Sequence, residues 1–132
     1  DGIVEFLSPV RRGQVPELLS QFDALYIGLQ RQPLFRFGVS PNKLMDYMMA
    51  GKPVIFAIDA PNDLVAEAQC GISITPEDSG AIASAVEALA QMSPEERKAM
   101  GARGKAYILL HNEYCVLADK FLEVFRMPHG KQ

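Results

Sequence analysis

Strand-like and helix-like segments alternate from Ile3 to Thr75, and that alternation leaves the chain few ways to fold. Apolar runs suited to strands lie near Ile3 to Phe6, Ala24 to Leu29, Pro53 to Ile58 and Gly71 to Thr75. Between them, segments near Val15 to Gln21, Asn42 to Ala50 and Asp63 to Gln69 read as helices. Strands joined through helices do not pair as hairpins. They line up in parallel, with right-handed crossovers and helices on both faces of the sheet. The expected fold class is therefore α/β, a Rossmann-like doubly wound parallel sheet. Beyond Thr75, Asp78 is placed to cap a helix running to about Gln91, and Ser93-Pro94-Glu95-Glu96 is a capping-box start with proline at the first helical position. An amphipathic helix over about Tyr114 to Phe125 has Val116, Phe121, Leu122 and Phe125 among its apolar positions. Met127 to Gln132 reads as a flexible tail.

A chain of 132 residues with 48% apolar content predicts one domain with one core. Its net charge of -3 argues against nonspecific nucleic-acid binding, which needs a basic footprint. No apolar run approaches the roughly 18 residues of a membrane span, and no signal-peptide pattern is present. Cys70, Cys115, His111 and His129 lack metal-ligand spacing, so no metal is expected; both cysteines are expected to be reduced and buried, as in a cytosolic protein. His111 ends a helical run where a cation suits the dipole, and neither histidine has a visible catalytic partner.

The segment Gly38 to Pro53 carries most of the functional information. Ser40 suits the N-cap, Pro41 the first helical position and Gly51 the C-terminal stop. Leu44 with Met48, and Met45 with Met49, are apolar pairs one turn apart that would pack inward, while Lys43, Asp46, Tyr47 and Ala50 share another stripe. Free N–H groups and the positive end of the dipole would favour an anion such as a diphosphate, with Lys43 adding charge. Asp46, a turn deeper, could accept hydrogen bonds from sugar hydroxyls. The same residues also fit an ordinary capped helix with an exposed Lys/Asp pair.

The run S-P-N-K-L-M-D-Y-M-M-A-G-K-P-V-I resembles the nucleotide-binding segment of retaining GT-B glycosyltransferases, a family that builds bacterial surface polysaccharides. Upstream, I-V-E-F-L-S-P-V, V-P-E-L-L and A-L-Y-I-G-L are similar to the family's strand, helix and strand before the site; downstream, G-I-S-I-T-P-E-D and S-P-E-E-R-K-A-M-G resemble its closing strand and helices. The resemblance implies that residues 1–126 are a partial C-terminal donor-binding domain, entering the order 3-2-1-4-5-6 at its third strand. Without the first two strands, an edge gap or rearranged pairing is expected.

The family pattern has two glutamates separated by seven residues, the first near the transferred sugar and the second on the ribose. Asp46 falls on the second position and Gly38 on the first, so this chain lacks the sugar-facing glutamate. The resemblance implies nucleotide-sugar contacts from Pro9, Val10, Ser40, Pro41, Asn42, Lys43, Leu44 and Asp46, with Ser8-Pro9-Val10 lining the nucleobase largely through backbone groups. It implies a UDP-sugar donor, no cofactor, and hexosyl or N-acetylaminosugar transfer to a saccharide or lipid-linked acceptor held by an N-terminal domain. No catalytic side chain is assigned in this chain. A cytoplasmic location is implied, with the inner face of the membrane as a workplace for the full-length protein.

Ligands of such sheets bind beyond the carboxyl ends of the strands, which points to loops Leu7 to Gly13, Gln30 to Ser40 and Asp59 to Asn62. Arg31 and Arg36 could approach phosphate or acceptor, and Phe35 and Phe37 could wall the donor; a solvated loop over packed phenylalanines fits equally. Asp59 invites comparison with a phosphoacceptor but has no acidic pair or lysine at matching strand ends. A GT-B-fold sugar-nucleotide epimerase and a non-enzymatic flavodoxin-like module are the competing readings.

Overall fold

The computed structural model describes residues 4–126. Strands β1 (Leu25–Gly28), β2 (Val54–Ala57) and β3 (Gly71–Ser73) form one parallel sheet in the order β1-β2-β3. Leu25 lies opposite Val54, which lies opposite Gly71. Helix α1 (Val15–Ser20) precedes β1, α2 (Asn42–Met49) joins β1 to β2 and α3 (Leu64–Glu67) joins β2 to β3. Helices α4 (Ser79–Gln91), α5 (Pro94–His111) and α6 (Tyr114–Arg126) follow.

The central strand explains the layering. Every residue of β2 is buried, because successive side chains enter different layers. Val54 and Phe56 pack with Leu44 and Met48 of α2, Val65 of α3 and Ile108 of α5. Ile55 meets Ala85 and Leu89 of α4 on the opposite face. A strand covered on both sides needs a continuous apolar run, which Val54 to Ile58 supplies.

Two glycines bring α5 onto this core. A Cβ at Gly101 would strike the carbonyl oxygen of Gly51, and one at Gly104 would lie 2.9 Å from the Cβ of Cys70. The C-terminal exit of α2, where Gly51 takes φ +67°, is thus pressed directly against α5. Arg103 Nε donates to the Gln69 carbonyl at 2.7 Å, fixing α5 to the turn after α3 as well.

The expected first strand does not form over its described part. Ile3 lies outside the described residues, and Val4 to Phe6 are coil, with Val4 75% and Phe6 94% exposed. β1 is an edge strand that pairs with β2 alone among the described residues, and this apolar segment does not add to its open side. The expected tail, Met127 to Gln132, also lies outside the described residues.

Asp78 caps α4 by accepting from the Ala81 N–H at 2.9 Å. Ser93 and Glu96 form the anticipated box at α5: Ser93 N–H donates to Glu96 Oε2 at 2.7 Å, and Glu96 N–H donates to Ser93 Oγ at 3.2 Å. These bonds hold the Glu96 carboxyl below its ordinary 4.5. A depressed folded-state pKa gives stabilisation that is present above the unfolded value and lost as pH falls through the folded one. The Glu96 side chain should therefore titrate below 4.5 in NMR, with Ser93 amide protection fading over the same range; an ordinary midpoint would contradict the box.

Both cysteines are free, as expected, but only Cys70 is buried; Cys115 is exposed on α6. Burial pushes the Cys70 thiol up to about 11. A thiol reagent at neutral pH should label Cys115 promptly and Cys70 only after denaturation, because the thiolate is the reactive form. Equal labelling rates in the folded protein would refute this packing.

Candidate functional site

The N-terminus of α2 differs from the expected cap by one residue. Pro41, with φ -73° and ψ 119°, is the N-cap; Ser40 lies outside the helix, and no side chain caps it. Asn62 is the reason. Val39 N–H donates to Asn62 Oδ1 at 2.8 Å, and Asn62 Nδ2 donates to the Val39 carbonyl at 2.6 Å. With both backbone groups of Val39 held from outside, the chain stays extended through Pro41 and the helix begins at Asn42. The first turn closes when Leu44 N–H donates to the Pro41 carbonyl at 3.0 Å.

The placement of the candidate residues follows. Lys43 and Asp46 are exposed, and Asn42 and Lys43 present first-turn N–H groups without a side-chain cap. Leu44 is 1% exposed, so its side chain serves the core with Met48; Met45 is half-buried and Met49 exposed. Asp46 shares a cavity of about 350 Å³ with Arg12, Val15, Pro16 and Met49. Pro9 and Val10 are exposed coil just before the 3-10 turn Arg12–Gln14 and do not line that cavity.

The loop from β1 to α2 is pinned at both ends by other loops. At its start, Arg31 N–H donates to Glu77 Oε2 at 3.1 Å, and Arg31 Nε lies 3.4 Å from Asp59 Oδ2. Glu77 reaches it from a left-handed backbone, φ +60°. At its end stands the Asn62 clamp on Val39. Between them, Pro33–Phe37 form a 3-10 turn in which Phe35 packs on the core, Phe37 is exposed and the Arg36 guanidinium lies 4.6 Å from the Phe37 ring centre.

Gly38 takes φ +101°, and a Cβ there would lie 3.0 Å from Asn62 Oδ1. A side chain at this position is disfavoured by the backbone and crowded by the clamp. Two cavities open here. One, of about 530 Å³, lies between Gly38–Ser40 and Pro61–Asn62; the other, of about 610 Å³, lies between Arg31, Arg36, Asp59 and Pro61. Pro61 is common to both.

Asn62 and Glu77 were not anticipated as site-forming residues. Nothing in their spacing links them to Val39 or Arg31, because loops after different strands meet only in three dimensions. Asn62→Ala should cost about 2 kcal/mol, since it leaves two part-buried backbone groups of Val39 without partners. Chemical denaturation measures it, and faster amide exchange at Val39 should accompany the loss.

Among the described residues, no group of three or more His, Cys, Asp or Glu could hold a metal ion, and no helix is long and apolar enough to cross a membrane. A parallel α/β sheet flanked by helices, with loops gathered beyond its strand ends, is a Rossmann-like framework. The family model for glycosyl transferases group 1 matches residues 1–92, which include both cavities, Asp46 and α1 to α4. The chain belongs to that family and is a glycosyltransferase domain. No curated protein and no solved structure matches it.

Proposed function

We propose that this domain holds the nucleotide-sugar donor, a UDP-sugar, of a glycosyltransferase that retains anomeric configuration. The supporting observation is the α2 entrance: extended by the Asn62 clamp, uncapped by any side chain, with Lys43 exposed beside it and Asp46 exposed one turn along. In this reading the N–H groups of Asn42 and Lys43, with the Lys43 ammonium, meet the diphosphate. Ser40 and Pro41 shape the approach, Leu44 seats the helix, Asp46 accepts from the ribose hydroxyls, and backbone groups at Pro9 and Val10 face the base.

Retention follows from same-face displacement, in which the departing diphosphate helps remove the acceptor's proton. The protein's part is positioning the donor and stabilising charge on the leaving group. A saccharide or lipid-linked acceptor, hexosyl or N-acetylaminosugar transfer, and work at the cytoplasmic face of a membrane complete the proposal. In this reading a separate domain holds the acceptor, so residues 1–132 alone should show no transfer; turnover of UDP-sugars by the purified chain would refute that. A sugar-nucleotide epimerase is the second reading, favoured by Gly38, which puts no acidic side chain at that position. Calorimetric titration of the complete natural protein with UDP tests donor binding. Product analysis with a UDP-sugar then separates transfer from epimerisation.

A further inference from the structure

We infer that the cavity of about 610 Å³ between Arg31, Arg36, Asp59 and Pro61 receives the sugar ring of the donor, with the Asp59 carboxylate accepting from its hydroxyls. This rests on the donor-binding reading above. The location comes first. Sugar and diphosphate are directly bonded, so the sugar's room must adjoin the space before the α2 N-terminus. Pro61 forms part of both walls, and the volume lies in the range of small-molecule sites.

The chemistry of the walls agrees. A sugar ring offers hydroxyls that both donate and accept, and it is recognised by fixed acceptors opposite fixed donors. Asp59 Oδ2 is engaged by Arg31 Nε at 3.4 Å, while Oδ1 takes part in no hydrogen bond or ion pair among the described residues and the side chain is 65% exposed. Arg31 is itself held through its backbone N–H by Glu77, so the carboxylate is oriented through an anchored cation. Gly38 offers no side chain and its φ of +101° disfavours one, which leaves Asp59 as the acid lining this cavity. An ion pair this exposed contributes little to stability. Replacing Asp59 should therefore leave the fold intact.

The test is calorimetry on the complete natural protein with UDP, UDP-glucose, UDP-galactose and UDP-N-acetylglucosamine, for the wild type, Asp59→Ala and Asp59→Asn. The quantity read is the ratio of the Kd for UDP to that for the best UDP-sugar. Asp59→Ala should reduce the ratio at least fivefold while UDP itself binds within twofold of wild type, and Asp59→Asn should fall between. An unchanged ratio, an equal loss for UDP, or a wild type that binds UDP and every UDP-sugar alike would overturn the subsite while leaving donor binding intact. A wild type that fails to bind UDP would overturn the donor reading and this inference together. Unfolding of both variants would also overturn it, because the pair would then be structural.

Discussion

Gly101→Val should lower the unfolding free energy by about 3 kcal/mol, the upper part of the range for overpacking a filled interior. Two effects compete at this position. Replacing a helical glycine ordinarily helps, by about 1 kcal/mol for alanine, because the unfolded chain loses freedom. Here the first added carbon meets the backbone carbonyl of Gly51, and the peptide to Lys52 lies directly behind it. Backbone cannot rotate away as a side-chain tip can, so the clash wins. Gly101→Ala should be destabilising too, by less, and Gly13→Ala should not destabilise, because nothing lies within 4 Å of its new methyl. Urea denaturation of the three variants decides the matter. A Gly101→Val midpoint equal to wild type would mean that α5 does not rest on the exit of α2.

Asp46→Ala should weaken UDP binding by about 1.5–3 kcal/mol, roughly 10- to 150-fold, the usual cost of losing hydrogen bonds to a charged acceptor. The fold should be little affected. Asp46 is exposed, engages no ion pair among the described residues, and its helix is anchored by Leu44 and Met48 on the other face. Binding and stability are therefore separable. Calorimetric titration alongside a thermal melt reads both, and equal UDP affinity in the two proteins would remove Asp46 from the site. Lys43→Ala should weaken UDP binding and make it less dependent on salt, since an exposed ammonium acts through screened charge.

The layered α/β fold was legible because its signals are local. Val54 to Ile58 is a continuous apolar run, Asp78 and the Ser93–Glu96 box sit where helices begin, and Gly51 sits where one ends. Ile3 to Phe6 carries the same local signal and forms no strand over its described part, since pairing requires a neighbour that composition cannot report. The α2 entrance was misplaced by one residue for a related reason. Ser40-Pro41 is a good local start, yet the deciding contact comes from Asn62, 23 residues away. The exposure of Lys43 and Asp46 followed from the helical stripe; the pairing of Arg31 with Asp59 and Glu77 did not, because it depends on three loops converging.

Helix α2 is fixed at its entrance through Val39 and Asn62 and at its exit through Gly51 and Gly101. A short helix immobilised at both ends behaves as a ruler. Asp46 stands four residues beyond Asn42, about 6 Å along the axis at 1.5 Å per residue, an interval that the helix itself sets. Under the donor-binding proposal, a ligand that meets both the α2 entrance and Asp46 must itself supply that spacing between its diphosphate and its ribose, so the domain would sort nucleotides by length as well as by charge.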